Sequence, residues 1–194
     1  MTLETELITT IFNGLSFTLE ERKLLTRSFE KLHLPKHSLL LKAGEAVYEQ
    51  YYVAEGCLRT YYIAPDGKEH TVQFAITDWW ISDYTAFFNS SNALMHIECI
   101  QDATLYKISK NDMEQLYHHM PKLESYFRKK MERAFASFQK RIIANLSQTA
   151  SERYLNFINT YPNIEQNVKN YHIASYLGIT TQSLSRIRKE LVQG

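Results

Sequence analysis

Between Leu123 and Ile142, apolar or small side chains recur at Leu123, Phe127, Met131, Ala134, Phe138 and Ile142, in steps of 4, 4, 3, 4 and 4. This stripe constrains the fold more than any other feature. The spacing keeps all six on one face of an α-helix, and with Pro121 as a natural opening residue it predicts a helix over 121–146. At 1.5 Å per residue a helix of about 25 residues runs roughly 38 Å, longer than a small β-fold can cover. Lys129, Lys130, Glu132, Arg133 and Lys140 largely occupy its other faces. An apolar stripe must meet another apolar surface. It can lie on the sheets of its own chain or pair with the same helix of a second copy, and its length favours pairing.

Upstream of the stripe the texture differs. The first thirty residues read as helical, and Thr18–Glu21 has the Thr-x-x-Glu pattern of a capping box. From Leu32 to Ser109 short apolar or alternating runs are separated by turn residues. Gly44 and Gly56 punctuate them, and Ala64-Pro65-Asp66-Gly67 separates two strand-like runs as a hairpin turn would. Strands this short and this evenly spaced indicate an antiparallel barrel or roll. A short helix is expected at about 109–119. Beyond the long helix, Thr149–Glu152 is a second capping box, and Pro162 closes the helix it starts. The expected organisation is a β-roll over 1–120, a long helix over 121–146 and a small helical domain over 147–194.

The formal net charge of +1 hides an asymmetry. Residues 1–120 hold 10 basic and 16 acidic side chains, whereas residues 121–148 hold 7 and 2 and residues 149–194 hold 5 and 3. An acidic front and a basic back suit a polyanionic partner behind residue 120. The acidic start lacks the features of a signal peptide, and no apolar run approaches the roughly 18–20 residues of a membrane span. Cys57 and Cys99 are too few and too far apart for a zinc site, an iron–sulfur cluster or a disulfide scaffold. A cytoplasmic protein with two buried reduced thiols is the expectation, with no membrane partner, no metal and no cofactor.

Near the C-terminus, Ala174 stands four residues before Gly178. The small side chain permits a close helix crossing, and the glycine permits positive φ at a sharp turn. Ile173, Leu177, Leu184 and Ile187 supply a small core. Gln182, Ser185, Arg186 and Lys189 fall on the opposite side of the second helix, at i, i+3, i+4 and i+7. All four can form hydrogen bonds and none is acidic, which suits base edges and phosphates. The pattern predicts a helix-turn-helix.

Taken together, the chain resembles the Crp/Fnr family of bacterial transcription regulators over roughly residues 30–192. Lys42–Glu45, Tyr51–Phe74 and Asp78 resemble the family's cyclic-nucleotide-binding-type β-roll. Ile173–Leu191 resembles its DNA-reading motif in a form common among Bacteroidetes members. The resemblance implies an α+β fold: an antiparallel β-roll with flanking helices, a long dimerisation helix and a small helix-turn-helix, winged-helix-like domain. It further implies a homodimeric, sequence-specific regulator that binds double-stranded DNA and is not an enzyme. RNA polymerase is a candidate further partner. Arg186 matches the family's base-reading arginine. Gln182 stands where the family carries a glutamate, so the family's base preference does not carry over at that position. Thr180, Thr181 and Ser183 are cast as phosphate or cap contacts, and Arg188 as a phosphate contact or the partner of an acid.

The roll departs from cyclic-AMP-binding members, in which a Gly-Glu segment and an Arg-Ser-Ala-like stretch cradle the phosphate. Here Ser82 or Asp83 falls near the glutamate position, and no arginine lies between Arg59 and Arg128. An anionic cyclic phosphate would be poorly held, so the effector is unknown and cyclic AMP is not expected. Trp79, Trp80, Tyr84 and Phe87 are candidate lining for an apolar pocket, with packing in the core as the alternative. A lone histidine among His33, His37, His70, His96 and His118 is read as an ordinary side chain. A small-ligand sensor or adaptor with a decayed DNA-binding end is the alternative function. A cupin-type enzyme would need inward histidines at strand spacing, and no His-x-His pair is present.

Overall fold

The computed structural model describes residues 2–162 and 164–193. Two N-terminal helices, α1 (Leu3–Thr10) and α2 (Leu19–Ser28), precede eight strands. The Thr18–Glu21 box forms as expected: Thr18 Oγ1 accepts from the Glu21 N–H, and Glu21 accepts from the Thr18 N–H. The strands are β1 (Glu30–Leu34), β2 (Leu39–Leu41), β3 (Glu49–Glu55), β4 (Leu58–Ile63), β5 (Glu69–Ala75), β6 (Trp79–Ile81), β7 (His96–Cys99) and β8 (Ala103–Ser109). They form two four-stranded sheets, ordered β1-β8-β3-β6 and β2-β7-β4-β5. Pairing of β1, β3 and β6 with their neighbours is antiparallel, with Tyr52 opposite Tyr106 and Val53 opposite Leu105.

A short helix, α3 (Tyr84–Asn89), interrupts the strands, and α4 (Lys110–His119), α5 (Pro121–Ser147), α6 (Ala150–Thr160), a 3-10 turn at Ile164–Gln166, α7 (Asn170–Leu177) and α8 (Thr181–Gln193) follow. The second capping box also forms, at Thr149 and Glu152. Among the described residues no strand follows α5.

The contacts divide the chain into two compact units: residues 1–60 with 74–127, and residues 61–73 with 128–194. This differs from the expected boundaries. The hairpin of β4 and β5 groups with the C-terminal helices because Ser175 and Arg141 bond to its backbone. The first turns of α5 group with the roll because Leu123 and Phe127 are buried there, only 0% and 4% exposed.

The roll's core is dominated by aromatic side chains. Phe12 meets Phe17, Phe29, Tyr126 and Phe127 edge to face, and Trp80 meets Tyr52 and Phe127 in the same way. Such pairs add about 0.5–1.5 kcal/mol each beyond area burial. Polar tips at the rim are paired: Glu6 accepts from Lys31 at 2.6 Å and from Tyr106 at 2.7 Å. Both cysteines are free and buried. Burial pushes the Cys57 thiol up to about 12 and the Cys99 thiol up to about 11. Gly56 turns the chain at φ +96°, and a Cβ there would lie 2.4 Å from the Asp102 carbonyl oxygen.

Gly56→Ala should cost about 3 kcal/mol or more in urea unfolding, because backbone strain adds to a clash with rigid backbone. Gly44→Ala, with positive φ but open space around it, should cost only about 1–2 kcal/mol. A thiol-reactive disulfide reagent at pH 8 should label neither cysteine in the native protein and both in denaturant, since the thiolate is the reacting form.

Candidate nucleic-acid interface

α7 ends because Gly178 adopts a left-handed conformation (φ 67°, ψ 33°) that few other residues tolerate. The Ile179 N–H then closes back on the Ala174 carbonyl at 3.0 Å, and the Gly178 N–H on that of Ser175 at 3.2 Å. Ile173, Ala174, Leu177, Leu184 and Ile187 are all buried, which fixes α8 against α7. The start of α8 is set by Thr180, whose Oγ1 accepts from the Ser183 N–H at 3.1 Å and donates to Ser183 Oγ. These two hydroxyls are used as a cap. Thr181 Oγ1 donates to Gln182 Oε1 at 3.3 Å, and Ser185 Oγ bonds back to the Thr181 carbonyl at 3.0 Å.

Gln182, Ser185, Arg186 and Lys189 are exposed in a row opposite Leu184 and Ile187. Arg186 has one acidic neighbour that the row's composition concealed: Glu190 approaches its Nε at 3.8 Å, with both side chains mostly in solvent. An exposed i,i+4 pair is worth about 0.3–0.5 kcal/mol, so the guanidinium is easily released.

Arg188 does not join this row. Its Nε donates to the Tyr154 hydroxyl at 3.0 Å, its NH1 to Asn170 Oδ1 at 2.7 Å, and its NH2 meets Glu165 at 3.4 Å. Tyr154 itself donates to Glu165 at 2.6 Å. Burial, then this carboxylate, raises the Tyr154 pKa, and the hydroxyl stays protonated as a donor. Arg188 therefore fastens α8 to α6, α7 and the 3-10 turn, and of its two expected roles it takes that of an acid's partner here. The motif could not reveal this, because Tyr154 and Glu165 lie 34 and 23 residues away.

The long helix also differs from its sequence reading. Leu123 and Phe127 lie in the core of their own chain, so a partner cannot use them. Beyond them Met131 is half-buried and Ala134 exposed. Phe135, Phe138, Ile142 and Leu146 stand 63%, 48%, 46% and 83% exposed. Met131, Phe135, Phe138, Ile142 and Leu146 repeat at steps of 4, 3, 4 and 4, within about 80° of one another around the helix. Phe135 and Leu146 were missed because the stripe was traced through Ala134. Lys129, Arg133 and Lys140 are exposed on the opposite face.

In the roll, the proposed pocket residues are core. Trp80 and Phe87 are buried, and Trp79 and Tyr84 pack against the same cluster. Their size and aromaticity suit either role, and the T-shaped contact of Trp80 with Phe127, at 4.8 Å between ring centres, uses the space. Asp83 is fully buried at the start of α3, and its carboxylate accepts from the N–H groups of Ala86 at 3.2 Å, Leu94 at 2.8 Å and Met95 at 3.1 Å. The equally buried Arg59 donates from Nε and NH2 to one oxygen of Glu98, at 2.8 and 2.6 Å. Among the described residues, no group of three or more His, Cys, Asp or Glu could hold a metal, and no helix is long and apolar enough to cross a membrane.

Residues 31–120 match the cyclic nucleotide-binding domain family. The anaerobic regulatory protein of Haemophilus influenzae is 24% identical over 188 residues, covering 88% of this chain and 71% of that protein. Among solved structures, FixK2 from Bradyrhizobium japonicum matches with a TM-score of 0.73 at 16% identity, over 85% of both chains. The c-di-GMP responsive global regulator CLP from Xanthomonas campestris matches at 0.71 and 12% identity, over 91% of this chain and 92% of its own. The chain thus carries a cyclic-nucleotide-binding-type roll followed by a long helix and a helical C-terminal end. In fold and domain content it is similar to these regulators.

The two arginines of α8 should separate in stability measurements. Arg188→Ala should lower the unfolding free energy by about 2 kcal/mol, having removed charge-assisted hydrogen bonds. Arg186→Ala should stay within about 0.5 kcal/mol of the parent protein.

Proposed function

We propose that this protein is a homodimeric, sequence-specific DNA-binding regulator whose roll receives a signal other than a cyclic nucleotide. The observation that carries the reading is the exposed row Gln182, Ser185, Arg186 and Lys189 on a helix fixed by a buried core on its other side. Arg186 presents a guanidinium able to bond guanine O6 and N7, Gln182 an amide suited to adenine, and Lys189 a charge for phosphate. The open N-terminal turn of α8 adds backbone donors beside Thr181.

The exposed seam of α5 supports pairing of two chains. Each of its half-exposed side chains stabilises the dimer by about 1–2 kcal/mol on burial. A dimer of helix-turn-helix subunits presents its recognition helices roughly 34 Å apart, one turn of DNA. The role of dimer contact rests on Met131, Ala134, Phe135, Phe138, Ile142 and Leu146, with Leu123 and Phe127 left out.

The roll's own bonding argues against cyclic AMP. Leu94 and Met95 lie in the region that corresponds to the phosphate cradle of cyclic-AMP-binding members, and their N–H groups are already taken by the Asp83 carboxylate. A phosphate arriving there would meet a buried negative charge. Arg59, the only arginine in the roll's strands, is bound to Glu98. The roll thus holds its own anion where the family resemblance expects a bound one. No catalytic step belongs to this reading.

Binding-site selection from a randomised duplex library tests it. The parent protein should enrich a two-fold symmetric site, with affinity falling steeply as salt rises. Arg186→Ala should lose about 1–3 kcal/mol on that site and relax one base position in each half. Failure to enrich any sequence, together with tight binding of a small ligand by the roll, would favour the sensor or adaptor with an inactive DNA end. Calorimetric titration with cyclic AMP should give no binding heat.

A further inference from the structure

The side of the helix-turn-helix away from DNA carries a set of bonds that the reading above does not use. β5 is the outermost strand of its sheet, and an outer strand presents backbone N–H and C=O groups that seek partners. Ser175, in the middle of α7, supplies one. Its hydroxyl accepts from the Thr71 N–H at 2.9 Å and donates to the Glu69 carbonyl at 3.0 Å. One oxygen serves as acceptor and donor at once, which only a hydroxyl does at this size. Arg141 of α5 donates to the carbonyl of Val72, three residues beyond Glu69. The same guanidinium lies over the rings of Tyr176, at 4.9 Å, and Phe138, at 5.0 Å. Tyr176 in turn packs on Phe157 of α6 at 5.3 Å. All these residues belong to one compact unit.

We propose that Ser175 and Arg141 form a latch that holds the first helix of the helix-turn-helix to the β4–β5 hairpin, and that the latched form is the one competent for operator DNA. The proposal rests on the DNA-binding function above. Three observations carry the competence of the latched form. The row of α8 stands exposed while the latch is closed. The latch ties α7 both to the hairpin and to the helix whose seam pairs the subunits. A recognition helix held in place loses less freedom on docking than a mobile one. The latch is also weak enough to open. Three hydrogen bonds contribute about 0.5–1.5 kcal/mol each, and a solvent-open cleft of about 320 Å³ beside Thr71, Val72, Arg153 and Tyr176 gives water access to them. The hairpin strands run on into residues 58–60 and 74–75 of the roll. A signal that moves the hairpin therefore reaches α7 directly, in addition to any path along α5.

The test compares the full chain with Ser175→Ala, Ser175→Thr and Arg186→Ala. Hydrogen exchange at the Thr71 amide should quicken about tenfold in Ser175→Ala, and affinity for the selected operator should fall about five- to tenfold, as a smaller latched fraction requires. The salt dependence of non-specific DNA binding should not move, because no phosphate contact is lost. Ser175→Thr keeps the hydroxyl and should restore both readouts. Circular dichroism and the unfolding midpoint confirm that the variants remain folded. Operator affinity equal to or above that of the parent in Ser175→Ala, while Arg186→Ala still loses specificity, would overturn the latch alone. Unchanged specificity in Arg186→Ala would overturn the DNA reading on which it rests.

Discussion

Leu123 is buried in the roll's core and Phe127 packs among the rings of Phe12, Trp80 and Tyr117, while Phe135 and Leu146 of the same helix stand in solvent. That change of environment along α5 is the constraint on which the rest of the molecule depends. A chain that leaves five apolar side chains in register on one helix face presents a surface that water disfavours. In the proposed dimer a second α5 in the same register removes it from water. The seam of α5 is followed by α6, the 3-10 turn and the helix-turn-helix, so the proposed pairing would hide the first and also set the spacing of the last.

The roll satisfies its buried charges from within the chain. A buried carboxylate must be paired or hydrogen-bonded to be tolerated, and Asp83 meets that requirement with three backbone N–H groups. Arg59 and Glu98 satisfy each other in a comparable way. A buried pair of this kind adds little net stability but is costly to break from one side, which makes it a feature of specificity rather than strength.

What could be read from the sequence was what local physics controls. Both capping boxes, the hairpin turn with Gly67 at φ +82° and the bend at Gly178 are short-range patterns, and each formed as expected. Helical periodicity located α5 but could not say which surface covers its stripe, so Leu123 and Phe127 were grouped with residues that face the other way. The aromatic run Trp79–Phe87 was legible as apolar, not as core or pocket. Bonds between distant residues were beyond reach. Asp83 meets Leu94 and Met95 across 11 and 12 positions, Arg188 meets Tyr154 across 34, and Ser175 meets Thr71 across 104. No periodicity or spacing encodes such pairs.

Hydroxyl-radical footprinting of the selected duplex tests the central claim most directly, because it reads pairing and recognition together. The account predicts two protected patches on one face of the duplex, centred about one helical turn apart, with two chains bound per duplex. A single patch, protection that ignores sequence, or one chain per duplex would contradict it.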